Sequence, residues 1–286
     1  MNDSHTSLDD TPQPDHEPDR GGGVQSQKFA SQGKKWMQDL VRSYVYLTRL
    51  PLIHAQEDLP SGPISESMRG FPVVGALIGA MGGIAFLLSD LIGFTPLLSA
   101  SIAMLVLSGL TGVIHEQALA QVMSTKDTPS SSMKGFVYVT FAVLIKVACL
   151  TQIGAQAWGA PLTVLILIAA ASTSRAAMVG AAYFLHNKHD ENADDHAGLR
   201  SGELYQVPQA QLAQAMAVSG IIVLLCLVLS QGFSIFIAAI IGAALASGVV
   251  IKMANQENGR PADRLGAVQQ VSELAFLLVT TALLAT

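Results

Sequence analysis

From Phe71 onward the chain consists of apolar runs about twenty residues long, the length an α-helix needs to cross a hydrocarbon layer of ~30 Å at 1.5 Å per residue. Lipid offers no partner for backbone N–H and C=O groups, so runs of this length have to be helices rather than open sheet. Roughly seven such runs are present, over approximately 71–89, 96–114, 135–157, 161–185, 212–230, 233–251 and 266–285. The expected fold is therefore an all-α, polytopic integral membrane bundle of about seven transmembrane helices. Gly75, Gly79, Gly82 and Gly83 in the first run give the small-residue spacing that lets two helices approach closely.

Half of the residues are hydrophobic and only 13% are charged, too few charges for the surface of an ordinary soluble enzyme. The formal charge of −5 is carried by the beginning of the chain, where Asp3, Asp9, Asp10, Asp15, Glu17 and Asp19 face Arg20 alone. The rest is balanced, and no basic patch points to nucleic acid. Cys149 and Cys226 each lie inside an apolar run, as packed or lipid-facing small hydrophobes rather than disulfide or thiolate ligands. Residues 1–33, rich in Asp, Pro, Ser and Gly, are expected to be a disordered acidic tail, and no cleaved signal is expected because polar acids come first. Residues 34–286 form the membrane domain, opened by an amphipathic helix. In it Trp36, Met37, Leu40, Tyr44 and Leu47 recur at helical spacing between Lys34, Lys35, Arg42 and Arg49, which suits the inner-leaflet surface and its lipid phosphates.

The connections at 90–95, 158–160 and 231–232 are short and lack Lys and Arg, whereas 115–134, 186–211 and 252–265 carry Lys126, Lys134, Lys188, Arg200, Lys252, Arg260 and Arg264. The positive-inside bias places that charged face, with the N-terminus, in the cytoplasm. A water-soluble substrate would arrive there. Inside the apolar runs stand Lys146, Arg175 and Glu273. An unpaired charge at such depth costs roughly 2.5–3.5 kcal/mol on insertion scales, so Glu273 is expected to face the interior and to pair with Lys146, while Arg175 is open between ion pairing and phosphate binding.

The order of YLTRLPL (46–52), RGFPVVGALIGAMGG (69–83), LTGVIHEQALAQ (110–121), Ser174-Arg175 and ADRLGAVQQVSELAFLL (262–278) resembles the cobalamin synthase family, the adenosylcobinamide-GDP ribazoletransferases, over about residues 44–284. The resemblance implies an inner-membrane transferase that joins adenosylcobinamide-GDP to α-ribazole or its 5′-phosphate, releases GMP and uses Mg²⁺. In that family the metal-binding acids lie in a run like H-x-D-G-L-A-D-x-x-D-G, whose spacing stacks them on one helical face. Here that run reads His115, Glu116, Gln117, Ala118, Leu119, Ala120, Gln121, Val122, Met123, Ser124, Thr125, without the three aspartates. A following segment like L-E-I-M-R-D-S-R-I-G-T-Y-G is reduced to Ser130, Ser131, Ser132, Met133, Lys134, Gly135 and Phe136.

The residues that match the family, or stand beside its motifs, define the expected site. Asp263 and His115 are candidates for catalysis; Glu116, Asp263 and Asp127 for Mg²⁺; Arg175, Arg69 and Lys134 for substrate phosphate. Each has a structural alternative: a helix cap for Asp263, solvated helix-end residues for His115 and Glu116, lipid head-group contact for Arg69 and Arg49, ion pairing for Arg175. The cluster His186, His189, Asp190, Glu191, Asp194, Asp195 and His196 is the densest polar group after the tail. It reads as a solvated loop or as a replacement for the absent acids. Three functions stand open: a ribazoletransferase with altered activity, a non-catalytic member that is homo-oligomeric or partners an intact synthase, and a small transporter.

Overall fold

A computed structural model of the chain describes residues 21–49, 63–124, 129–185, 206–230, 233–256 and 261–285. The chain divides at Trp36 into two units. Of the first, residues 21–36 are described and form the start of α1 (Gly21–Leu47), so helix begins earlier than the Lys34 read from the sequence. The acidic residues 3–19 lie outside the described residues.

The second unit is built of helices, with no strand among its described residues. A 3-10 helix, Ile64–Gly70, leads into α2 (Phe71–Leu91); α3 (Pro96–Thr111), α4 (Ile114–Met123), α5 (Pro129–Gly154), α6 (Gly159–Phe184), α7 (Gln209–Ser230), α8 (Phe233–Gln256) and α9 (Pro261–Leu284) follow. Six of the seven apolar runs each fall on a single helix, and the second is divided between α3 and α4. Five described segments are long and apolar enough to span alone, Ile64–Leu91, Met133–Gly154, Gly159–Phe184, Gln209–Ser230 and Ala262–Leu284, or six if the bent α3–α4 pair counts as one span. That is fewer than the seven expected, with Ala239–Val249 a shorter apolar stretch. Large apolar side chains such as Leu105, Leu224, Leu229 and Leu245 cover the outside. Water would not tolerate so extensive an apolar surface, and lipid does.

The second run, expected as one span over 96–114, is broken. Thr95 caps α3 by accepting from the Leu98 N–H at 3.4 Å, with Pro96 at the first turn. The helix stops where Gly112 and Val113 both take left-handed backbone (φ 63° and 61°), and α4 leaves at 88° to α3. A left-handed conformation is easy for glycine but unfavourable for β-branched Val113. The elbow is held from outside: the Arg49 N–H donates to Leu110 O at 3.0 Å, and the Arg49 side chain lies over Gly112 where a Cβ would collide with it. Glu116, on the first turn of α4, reaches back to accept from Ser108 Oγ on α3 at 2.8 Å.

The glycine spacing in α2 does what its pattern predicts. Gly75, Gly79 and Gly83 share one face against α6: a Cβ on Gly75 would stand 2.5 Å from Ala171 O, one on Gly79 would overlap Leu167 O, and one on Gly83 would lie 2.7 Å from Val164 Cα. Backbone meets backbone along this seam. It fixes the height and rotation of α6, and so the place of Arg175. Cys149 and Cys226 are buried free thiols, as expected.

Candidate functional site at the α4–α9 junction

Helix α9 organises the polar residues. Its positions 263, 266, 270 and 273 share one stripe, being three or four residues apart. At the start of that stripe Asp263 faces α4. With the Gln121 amide turned so that its nitrogen meets the carboxylate, Gln121 Nε2 donates to Asp263 Oδ2 at 2.5 Å and Oδ1 at 2.9 Å. One turn further, Gly266 lets α4 come close: a Cβ there would collide with Ala118 Cβ and lie 3.6 Å from His115 Cα and Nδ1. His115 is thus wedged against α9, buried, with neither ring nitrogen hydrogen-bonded. The helix-end solvation expected of it does not occur.

Deeper along the stripe lies a buried charge cluster. Glu273 Oε1 accepts from Lys146 Nζ of α5 at 3.0 Å, and Glu273 Oε2 from Arg175 Nη1 of α6 at 2.9 Å. Lys146 also donates to Gln270 Oε1 at 2.6 Å, and Gln269 Nε2 donates to Glu273 Oε2. Arg175 is further fixed by Ser174 Oγ at 3.1 Å. Relative exposures are 1% for Lys146, 3% for Arg175 and 6% for Glu273, so these charges are shielded and held by each other, by the glutamine amides, by the Ser174 hydroxyl and by Ala171 O. The Lys146–Glu273 pairing expected from the sequence is present, and of the two readings open for Arg175 the ion pair is the one found. The two glutamines were not singled out there, although a Gln-Gln pair four and three residues before an intramembrane Glu is a usable signal.

Several polar atoms around the junction have no hydrogen-bond partner: both His115 nitrogens, Glu116 Oε2, Arg175 Nε, Thr173 Oγ1 and Gln269 Oε1. Buried polar atoms are ordinarily satisfied by protein or ordered water. Their concentration on α4, α6 and α9 marks this as the part of the bundle suited to polar ligands or water.

The candidate phosphate cations do not converge. Arg69 is tied to Asp39: its Nε donates to Asp39 Oδ2 at 2.7 Å and its Nη2 lies 2.5 Å from the same oxygen. Its Nη1 donates to Gln214 Oε1 at 3.1 Å and its N–H to Gln211 Oε1 at 3.1 Å, while Ser67 Oγ donates to Asp39 Oδ1 at 2.8 Å. This network pins the 3-10 helix to α1 and α7. Arg175 belongs to the interior cluster. Lys134 alone is exposed, on the first turns of α5, where Gly135 packs on Ala120 O and Ser124 Oγ of α4. Asp127 and the cluster at 186–196 lie outside the described residues.

Whether the Mg²⁺ implied by the resemblance fits can be judged from the donors. Magnesium needs an octahedral oxygen shell with carboxylate charge, and parts reluctantly with its water. Among the described residues no three His, Cys, Asp or Glu side chains are grouped to hold a metal ion. Asp263 is engaged by an amide N–H, and Glu116 turns away to α3. The described residues therefore do not assemble a protein-only cage for Mg²⁺.

A polytopic helical membrane protein whose polar residues gather where a bent helix meets the last span is thus defined by fold and site together. The family model described as CobS, cobalamin-5-phosphate synthase, matches residues 39–124 and 129–281, and the chain belongs to that family. Relatives from Brucella melitensis biotype 1, Brucella ovis and Brucella canis, each named adenosylcobinamide-GDP ribazoletransferase, are 29% identical over 255 residues, covering 84% of this chain and 95% of each relative. No solved structure matches the chain.

Proposed function

We propose that this protein is a ribazoletransferase-type component of cobalamin biosynthesis that receives adenosylcobinamide-GDP and α-ribazole at the face formed by α4, the start of α5 and the start of α9. Its own transfer step is much slower than that of its relatives. The observation that carries the reading is the extent of the family match, which runs through the whole bundle from 39 to 281 apart from residues 125–128. The relatives' printed name supplies the substrate. That face is proposed to be cytoplasmic, in a bacterial inner membrane, because the basic connections gather on it.

The residues then divide by what they can do. Lys134 offers an exposed ammonium to a substrate phosphate, and His115 and Asp263 line the junction that would border the reacting groups. Glu273, Lys146 and Arg175 hold the helices and set a positive interior beneath it. In the transfer the ribazole hydroxyl oxygen would form a bond to phosphorus, the bond to GMP would break, and the hydroxyl proton would leave to solvent or a nearby base. Without anionic ligands at 117, 121 and 124 little of the charge developing on phosphate is neutralised.

A second reading, a non-catalytic subunit beside an intact synthase, is favoured by the direct Gln121–Asp263 bond, which occupies the carboxylate expected to serve the reaction. The transporter reading gains no support from the interior charges, since all three are mutually paired. Equilibrium binding of adenosylcobinamide-GDP to detergent-purified protein tests the proposal. Saturable binding weakened by Lys134→Ala is expected, and no binding of the nucleotide would overturn it. Complementation of a synthase-deficient strain then separates slow catalysis, which gives weak growth, from a partner role, which gives none.

A further inference from the structure

We infer that the Gln121 side-chain amide performs mechanically what a bridging cation would otherwise perform between α4 and α9, so that this junction is closed without metal. It also follows that the junction lies one or two atom replacements from being a divalent site. The argument starts from the junction's geometry. With the amide turned as its surroundings require, the Gln121 nitrogen contacts both oxygens of Asp263, at 2.5 and 2.9 Å. Gln117 and Ser124 lie four residues before and three after Gln121, on the same side of α4. All three are neutral, so Asp263 faces a helix surface with no charge of its own sign.

Gln121 and a glutamate have the same shape. A carboxylate at 121 would stand against the Asp263 carboxylate, and two like charges at hydrogen-bond distance repel strongly unless a proton or a cation lies between them. The amide removes that requirement. A neutral donor on one helix and a carboxylate on the other attract without a bridging charge. The close packing of Gly266 on Ala118 and His115, a turn along, holds the two helices at this separation. The junction is accordingly expected to be indifferent to chelators. It is also expected to become cation-dependent when the amide is replaced by an acid.

The test uses the metal alone and does not depend on corrinoid binding or turnover, so it stands or falls separately from the proposed function. Binding of Mn²⁺ to the full-length, detergent-purified protein is followed by electron paramagnetic resonance, beside the thermal midpoint measured in EDTA and in Mn²⁺. The wild type is expected to show no saturable Mn²⁺ binding up to millimolar concentration and the same midpoint in both conditions. Q121E is expected to melt lower than wild type in EDTA, to recover in Mn²⁺, and to bind the ion roughly tenfold or more tightly than wild type does. The double variant Q117D/Q121D should bind at least as tightly as Q121E. Saturable Mn²⁺ binding by the wild type that is lost on D263N would overturn the inference. So would a folded Q121E, monodisperse in gel filtration, whose midpoint does not respond to Mn²⁺. If Q121E cannot be purified folded, the wild-type and D263N arms still decide the first half of the claim.

Discussion

Near the start of α9, Asp263 meets the neutral amide of Gln121, whereas about 15 Å further along the same helix Glu273 sits between Lys146 and Arg175. The deep cluster keeps every charge and has a partner for each, because a lone charge inside the bundle is costly to insert and to hold. The junction, nearer the membrane face, carries the amides Gln117 and Gln121 where the family resemblance implies acids, and a neutral side chain there costs the fold little. The comparison separates two jobs that one polar stripe carries. Interior charges position helices and are kept by folding energetics; charges at the junction serve a ligand and are kept only if the ligand is used.

The largest expected effect lies in the deep cluster. Glu273→Gln leaves Lys146 and Arg175 buried without a counter-charge, and should destabilise the bundle by about 3–5 kcal/mol. Thermal unfolding in detergent would show it as early aggregation or failure to purify, and the second-site change Lys146→Met should recover part of the loss. If Glu273→Gln melted with the wild type, the interior cluster would not be the positioning element described. Next is Asp39→Asn, which strips Arg69 of its carboxylate while leaving Gln211 and Gln214 in place. A loss of about 2–4 kcal/mol is expected, below that of Glu273, because these partial hydrogen bonds remain.

Gly75→Ala addresses how Arg175 is held. Its Cβ would press on Ala171 O and on Arg175 Cδ, at 2.5 and 2.8 Å, so the α2–α6 seam must open. The expected cost is about 1–3 kcal/mol, read as a lower midpoint, and a Glu273→Gln background should make the effect smaller if both act through Arg175. The smallest effect belongs to Gln121→Ala. Losing a partly exposed amide–carboxylate contact should cost about 0.5–1.5 kcal/mol, measurable by chemical unfolding. A loss as large as that of Glu273→Gln would dissolve the contrast between the two regions.

Much of this was readable from the sequence, and for physical reasons. Span length follows from bilayer thickness, a close helix approach along α2 from glycines four apart, and the Lys146–Glu273 pairing from the cost of charge at depth. That α6 is the partner and that Arg175 joins the pair appear only in the fold. The α3–α4 elbow was not readable. It depends on Val113 adopting a left-handed backbone, which residue preferences argue against, and on Arg49 arriving from another segment to brace it. Arg69 was read as a phosphate or lipid ligand because its partner, Asp39, lies 30 residues away in an amphipathic stretch. Nothing local joins them. That 117, 121 and 124 carry no acid is visible in the sequence, but the Gln121–Asp263 contact appears only when α4 is turned onto α9.

The measurement that bears most directly on the separation of these two jobs is GMP release from adenosylcobinamide-GDP and α-ribazole by purified protein supplied with Mg²⁺. It should be run for the wild type, for Asp263→Ala, and for a variant carrying Asp at 117, 121 and 124. Wild-type release close to the Asp263→Ala background, with a clear rise in the triple variant, is predicted. Wild-type release at the rate of a Brucella relative, with Mg²⁺ required, would contradict the account.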